Sequence, residues 1–285
     1  MISESGRIKL RDEVELYTQF KEVGSPVWLV VVHGIGEHLT RHNYMLDLFA
    51  PDLNIFQFDL RGHGKSGGER AYVASFSEYF EDLDQVLTYL QEKYRMKRFV
   101  LFGHSMGAMI VAGFMQRFAK SGCYPEKIFL NAPPVGLPGA LGELFRVAPI
   151  KMVNAIAALN VSLKLGGLVD LNLLSHDPLV AENYVNDELN CLKLHSKLLF
   201  SLAEASRNVF GRAIAPRCPA YCTVGSEDKI VNVKALKHYF TEVDKSFQLK
   251  VIDGAYHEIH NEIGRFKNPY FSYLKNSIME SLFIK

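Results

Sequence analysis

Phe99-Val100-Leu101-Phe102-Gly103-His104-Ser105-Met106-Gly107-Ala108-Met109-Ile110 is an apolar run, then Gly-x-Ser-x-Gly, then a second apolar run reaching about Phe118. The first run reads as a strand buried on both faces, the second as a helix. A sharp strand-to-helix turn between them lifts Ser105 clear of the sheet edge, and the flanking glycines allow close approach where a Cβ would clash. A serine hydroxyl is a strong nucleophile only when exposed and beside a base. At a helix amino end it also meets free N–H groups that favour negative charge. Ser105 is therefore the candidate nucleophile, and the Met106 N–H a candidate oxyanion donor.

Similar apolar runs flank this segment. Trp28-Val32, Asn54-Asp59, Ile128-Leu130, Ala220-Val224 and Phe247-Ile252 read as strands, and Arg7-Leu10 with Glu15-Lys21 as an opening antiparallel hairpin. Helical patterns alternate with them. One starts at Ser75, with Glu78 as the partner of a capping box, and carries Phe76, Phe80, Leu83, Leu87, Leu90 and Tyr94 on one stripe. A last helix is expected over Arg265-Phe283. Strand-helix alternation predicts an α/β fold: a mostly parallel eight-stranded sheet with helices on both faces.

The stretch 134–207 breaks the rhythm. No run in it looks like a strand, and Leu141-Leu159, Pro178-Asn186 and Leu192-Ala205 read as helices. It is too long for an ordinary connection. We expect an inserted helical cap over 134–207, with the core built from 1–133 and 208–285. Between Leu141 and Leu159 the apolar residues spread beyond one face, including Phe145 and Ile150. That suits an acyl pocket, or contact with a lipid surface.

Composition narrows the function classes. Among 285 residues, Lys+Arg 32 against Asp+Glu 31 leaves +1, which removes a whole-molecule argument for nucleic acid. Four cysteines are too few for a disulfide scaffold, and Cys218 and Cys222 lack a second pair or nearby His for a metal motif. The first residues lack a basic stretch followed by an apolar one, so the expectation is a cytoplasmic protein, with peripheral membrane contact through the cap as the sharper reading.

The remaining chemistry lies after strand ends. Trp28-Val32 runs into His33-Gly34-Ile35-Gly36-Glu37-His38, where the Ile35 N–H is the second expected oxyanion donor. An acid and a base should follow Ser105 in that order. Asp228, just past Ala220-Val224, is the candidate acid, with Glu227 in reserve; His257, just past Phe247-Ile252, is the candidate base, with His260 in reserve. Glu37 and Arg41 also fit an i, i+4 surface ion pair.

Together these motifs resemble the α/β-hydrolase superfamily, and within it the monoacylglycerol lipase and lysophospholipase family. The resemblance rests on His33-Gly34-Ile35-Gly36-Glu37-His38, Asp59-Leu60-Arg61-Gly62-His63-Gly64-Lys65-Ser66, Gly103-His104-Ser105-Met106-Gly107 and Gly254-Ala255-Tyr256-His257-Glu258-Ile259-His260-Asn261-Glu262. It extends in outline to Leu174-Pro178 and Asn183-Asp187, where Asp187-Glu188-Leu189 departs from the family's Asp-Pro-Leu. It implies hydrolysis of single-chain acyl esters (monoacylglycerol or lysophospholipid) through an acyl-enzyme, with no cofactor or metal. It also implies a polar pocket for the alcohol head at Glu37, Arg41, Tyr184 and His260, and we place His104 of the elbow with them. Asp59 and Arg61 are expected to brace a loop. A thioesterase, a proline-iminopeptidase-type peptidase or another small-ester hydrolase would use the same fold. A non-catalytic binding protein fits poorly with Ser105, Asp228 and His257 all in place.

Overall fold

The computed structural model describes residues 4–119, 124–136, 147–149, 151–152, 162–167 and 169–283. Eight strands form one sheet in the order β1-β2-β4-β3-β5-β6-β9-β10. They are β1 (Glu4–Lys9), β2 (Glu15–Lys21), β3 (Val27–Val32), β4 (Asn54–Phe58), β5 (Arg98–His104), β6 (Lys127–Asn131), β9 (Ala220–Gly225) and β10 (Phe247–Ile252). β1 and β2 form the expected hairpin, β2 runs antiparallel to β4, and every other neighbouring pair is parallel. This is the α/β-hydrolase architecture expected.

The sequence explains the layering. Every residue of β3, β4, β6 and β9 is buried, as a parallel strand covered on both faces requires, whereas β2 alternates. Trp28, Val30 and Val32 of β3 face one core with Leu83 and Val86 of α2 (Ser77–Tyr94) and Ile110 and Phe114 of α3 (Met106–Arg117). Leu29 and Val31 face the other, with Met45 and Phe49 of α1 (Tyr44–Phe49) and Tyr270 and Leu274 of α7 (Gly264–Met279). Helix α2 starts two residues later than expected. Glu78 Oε1 still accepts from the Ser75 N–H at 3.0 Å, so half of the capping box is made. Helix α7 stops at Met279, short of Phe283.

Between β6 and β9 one expectation is corrected. Residues 193–195 do not begin a helix. They form β8 (Lys193–His195), paired antiparallel with β7 (Lys164–Gly166), and α5 (Ser196–Val209) starts only afterwards. Three-residue strands are too short to show a period, and their partners come from far along the chain. Leu163 and Ser196 close the ribbon: the Ser196 N–H donates to Leu163 O at 2.9 Å, and the Leu163 N–H to Ser196 Oγ at 3.0 Å. Helix α4 (Pro178–Asn186) forms as expected, with Asp177 Oδ1 accepting from the Leu179 N–H and Pro178 at the first turn. The expected Leu141-Leu159 helix lies mostly outside the described residues. A short helix, α6 (Val233–His238), follows β9.

The segment is tied to the rest of the molecule at the sheet's carboxyl edge. The Cys191 N–H donates to Gly36 O at 2.8 Å, Arg70 Nη2 to Leu189 O at 2.7 Å and the Glu258 N–H to Leu174 O at 2.8 Å. His38 Nε2 lies 2.7 Å from Asp187 Oδ2. No helix among the described residues is long and apolar enough to cross a membrane.

Candidate active site

Ser105 sits between β5 and α3 with φ 51° and ψ −118°, in the left-handed half of backbone space. A non-glycine residue is strained there and needs surrounding structure to hold it. Its N–H donates to Asn131 O at 2.8 Å. The glycines of the motif explain themselves: a Cβ at Gly103 would lie 2.5 Å from Gly107 O, and one at Gly107 would lie 2.2 Å from Val32 O. Strand, turn and helix are packed backbone to backbone.

The expected base and acid meet this serine in one hydrogen-bonded row. His257 Nε2 lies 3.1 Å from Ser105 Oγ, and His257 Nδ1 lies 2.7 Å from Asp228 Oδ2. Asp228 Oδ1 accepts from the N–H groups of Ile230 at 2.8 Å and Val231 at 3.1 Å, which holds the carboxylate in place. An ionised carboxylate only accepts, so the proton sits on His257 Nδ1 and the Nε2 lone pair faces the serine hydroxyl. Burial would lower the His257 pKa, but the charge and hydrogen bond of Asp228 outweigh it and raise it above the usual value. The reserve acid, Glu227, points to solvent and pairs with Lys229 at 3.1 Å.

The loop after β3 forms the facing wall. Glu37 Oε1 accepts from the Gly34 N–H at 2.5 Å, and His33 bridges Gly34 O at 2.8 Å and the Leu60 N–H at 2.9 Å. These bonds fix the Gly34-Ile35-Gly36 backbone beside Ser105. Met106 opens α3, so its N–H is one of the helix's free amino-terminal donors. Neither it nor the Ile35 N–H has a hydrogen-bond acceptor among the described residues. As expected, Asp59 braces the next loop by accepting from the Leu39 and Lys65 N–H groups at 2.8 and 2.7 Å, and Arg61 forks onto Asp82 at 2.6 Å.

The residues expected at the alcohol head divide. Glu37, His104 and Tyr184 line a cavity of about 200 Å³ that reaches Ser105, whereas Arg41 and His260 stand behind its wall. Arg41 is not on the surface. It is half-buried, donating to Glu37 Oε2 at 3.2 Å and Glu258 Oε2 at 2.5 Å, and the Tyr184 ring lies over its guanidinium. Burial alone would lower the Arg41 pKa, and the two carboxylates raise it. Burial would raise the Glu37 carboxyl, but His42, His104 and Arg41 hold it well below the usual range. His260 stacks on Tyr44 and packs against His42 and His104, with no hydrogen-bond partner for either ring nitrogen among the described residues. Burial and its histidine neighbours depress its pKa strongly.

Glu258 was not singled out in the sequence. It follows the base directly and reads as a spacer, yet it lines the same cavity. A second cavity, of about 360 Å³, also opens on Ser105 and is walled by Met106, Leu173, Leu199, Leu202, Ile230 and Val231. One side of the serine is thus mainly apolar and the other carries polar groups. Glu37, His104 and Glu258 bring donor atoms within 4.8 Å of one another. A metal there would need a lone pair on His104 Nε2. Asn131 Oδ1 accepts from the Thr223 hydroxyl at 2.9 Å, so Asn131 Nδ2 donates to His104 Nδ1 at 3.0 Å. The neutral His104 ring therefore carries its proton on Nε2, and the trio does not suit a cation bound through that nitrogen.

Comparison with known proteins places the fold in a family. A family model described as serine aminopeptidase, S33, matches residues 26–264. Human monoglyceride lipase is 30% identical over 258 residues, covering 88% of this chain and 82% of its own. The monoacylglycerol lipase of Mycolicibacterium smegmatis is 29% identical over 240 residues, covering 82% of each. An uncharacterised abhydrolase domain-containing protein of Dictyostelium discoideum is 24% identical over 281 residues, and the chain spans 28% of that relative's length. Among solved structures, the monoacylglycerol lipase of Paleococcus ferrophilus superposes with a TM-score of 0.77 at 24% identity, covering 92% of this chain and 99% of its own. A fold with this elbow, matched over most of its length by one family, identifies the chain as a member of the serine aminopeptidase, S33, family of α/β-hydrolases and as a serine hydrolase resembling the monoacylglycerol lipases.

Proposed function

We propose that this protein cleaves single-chain acyl esters, with long-chain monoacylglycerol as the lead substrate, using Ser105 as nucleophile, His257 as base and Asp228 as acid. The observation that carries this reading is the meeting, at the Ser105 hydroxyl, of a larger apolar cavity and a smaller one that adds Glu37, His104, Tyr184 and Glu258 to an otherwise largely aliphatic wall. The acyl chain occupies the former and the alcohol head the latter.

In this mechanism Ser105 Oγ attacks the ester carbonyl carbon and its proton passes to His257 Nε2. The oxyanion faces the Ile35 and Met106 N–H groups, each worth about 2.7–4 kcal/mol at the barrier. Asp228 stabilises the imidazolium. His257 then protonates the alcohol oxygen, the C–O bond breaks and the alcohol leaves. Water gives its proton to His257 and attacks the acyl carbon. Fatty acid departs as the proton returns to Ser105. The described parts of segment 134–207 act as a cap over both cavities, and the exposed Leu163, Leu179, Val185 and Leu192 give it a lipid-surface contact.

A panel of monoacylglycerols, lysophospholipids, acyl thioesters and aminoacyl amides tests the reading against a Ser105→Ala variant. Wild type should hydrolyse long-chain monoacylglycerol, with kcat lowered by at least ~10³ in the variant. Equal rates for the two proteins, or turnover confined to thioesters or amides, would overturn it.

A further inference from the structure

Glu258 presents an unusual surface to the head-group cavity. Its Oε2 accepts from Arg41 Nη2 at 2.5 Å and from Asn261 Nδ2 at 2.7 Å. Its Oε1 has no partner among the described residues, although the side chain is almost fully buried and lines the cavity. Glu37, the other acid of that wall, has both oxygens engaged: Oε1 by the Gly34 N–H and His42, Oε2 by Arg41. Arg41 is turned to the carboxylates from behind, and no Lys or Arg lines this cavity among the described residues. The polar groups left for a ligand are the His104 Nε2–H, the Tyr184 hydroxyl and a free carboxylate oxygen of Glu258.

We propose that Glu258 is a specificity-determining residue that filters the head group by charge, admitting heads that donate hydrogen bonds or carry a net positive charge and rejecting heads whose phosphate leaves a net negative charge. A hydroxyl or cationic head satisfies the free oxygen. A phosphate brings a further negative charge beside it, in a low-dielectric cavity that Arg41, already shared between Glu37 and Glu258, does not line. The inference rests on the ester-hydrolase reading above and sharpens it: the adjacent residue after the base decides which single-chain ester is used.

The test holds the acyl chain constant and varies the head. Oleoylcholine, oleoylglycerol, lysophosphatidylcholine and lysophosphatidic acid, each in neutral detergent micelles, are compared by kcat/KM for wild type and Glu258→Gln. The glutamine keeps an oxygen for Arg41 and Asn261 and removes the charge. Wild type should favour oleoylcholine and oleoylglycerol over lysophosphatidic acid, and Glu258→Gln should raise the lysophosphatidic acid to oleoylglycerol ratio at least tenfold. A merely structural role for Glu258 would lower all four rates together and leave the ratio unchanged, which overturns the filter while the ester-hydrolase reading stands. A wild type that prefers lysophosphatidic acid overturns the filter without any variant, so a poorly folding glutamine protein does not block the test. A wild type that turns over none of the four, while Ser105 still reacts with a fluorophosphonate, removes the ester-hydrolase reading and the filter with it.

Discussion

Asn131 fixes the tautomer of His104. Because the Thr223 hydroxyl occupies Asn131 Oδ1, the amide nitrogen donates to His104 Nδ1 at 3.0 Å and leaves the imidazole proton on Nε2, at the cavity wall. Burial is the first cause of the strongly depressed His104 pKa, so the ring stays neutral through the working range. Nitrogen-15 spectra should show His104 as the Nε2–H tautomer from about pH 6 to 8. A protonated Nδ1 would refute the Asn131 assignment.

In the proposed mechanism the Asp228–His257 pair sets the acid limb of activity. A base must be unprotonated to take the Ser105 proton, and the His257 pKa is raised above its ordinary ~6.5. Activity should therefore fall as pH drops through a midpoint above ~6.5 in kcat/KM profiles. Asp228→Asn should cost about 10⁴ in kcat, because the amide favours the wrong imidazole tautomer. A midpoint at or below 6, or a loss under tenfold, would contradict the geometry.

Four buried histidines resist protonation. His33, His104 and His260 are held well below the usual pKa and His63 is lowered to about 4, with burial the largest cause in each. The unfolded chain takes up protons at these sites near ~6.5 while the folded chain does not, so their contribution favours the native state above that pH and is lost as pH falls. His63 alone accounts for roughly 3 kcal/mol once the pH is below its folded value. Urea midpoints should drop between pH 7.5 and 5. His63→Gln, which removes that titration, should flatten the slope by about one proton; an unchanged slope would count against the buried neutral ring.

Lipid contact through segment 134–207 is testable at α4. Leu179 is 57% exposed and Val185 51% exposed, both on α4 and about 120° apart around its axis. Wild type should float with neutral liposomes, and Leu179→Asp with Val185→Asp should reduce bound protein at least tenfold, since each buried aliphatic side chain is worth ~1.5–3 kcal/mol. Equal flotation would remove this face from consideration. Phe145 and Ile150, the residues first suggested by the sequence, lie outside the described ones.

Much of the fold was legible because the central strands are continuous apolar runs and the elbow glycines leave a fixed spacing. Ser105 could be placed from the Gly-x-Ser-x-Gly turn, and Asp228 and His257 from strand ends in the expected chain order, and the structure brings their side chains together. The β7–β8 ribbon was not legible: Lys164–Gly166 and Lys193–His195 are too short to carry a period, and each needs the other to exist. The polar wall was half legible. Glu37 and Arg41 showed helical spacing, which suggested an exposed pair. Only the fold brings Glu258 across to bury them, and only the aromatic packing of Tyr44, His42 and His104 around His260 removes that ring from the cavity.

The Cys191 N–H bonds Gly36 O, the carbonyl next to the Ile35 peptide, and His38 two residues on meets Asp187. Any displacement of residues 187–191 from the core must break these contacts, so the cavity roof and the Gly34-Ile35-Gly36 backbone are mechanically one part. A seated roof therefore steadies the backbone that stands beside Ser105.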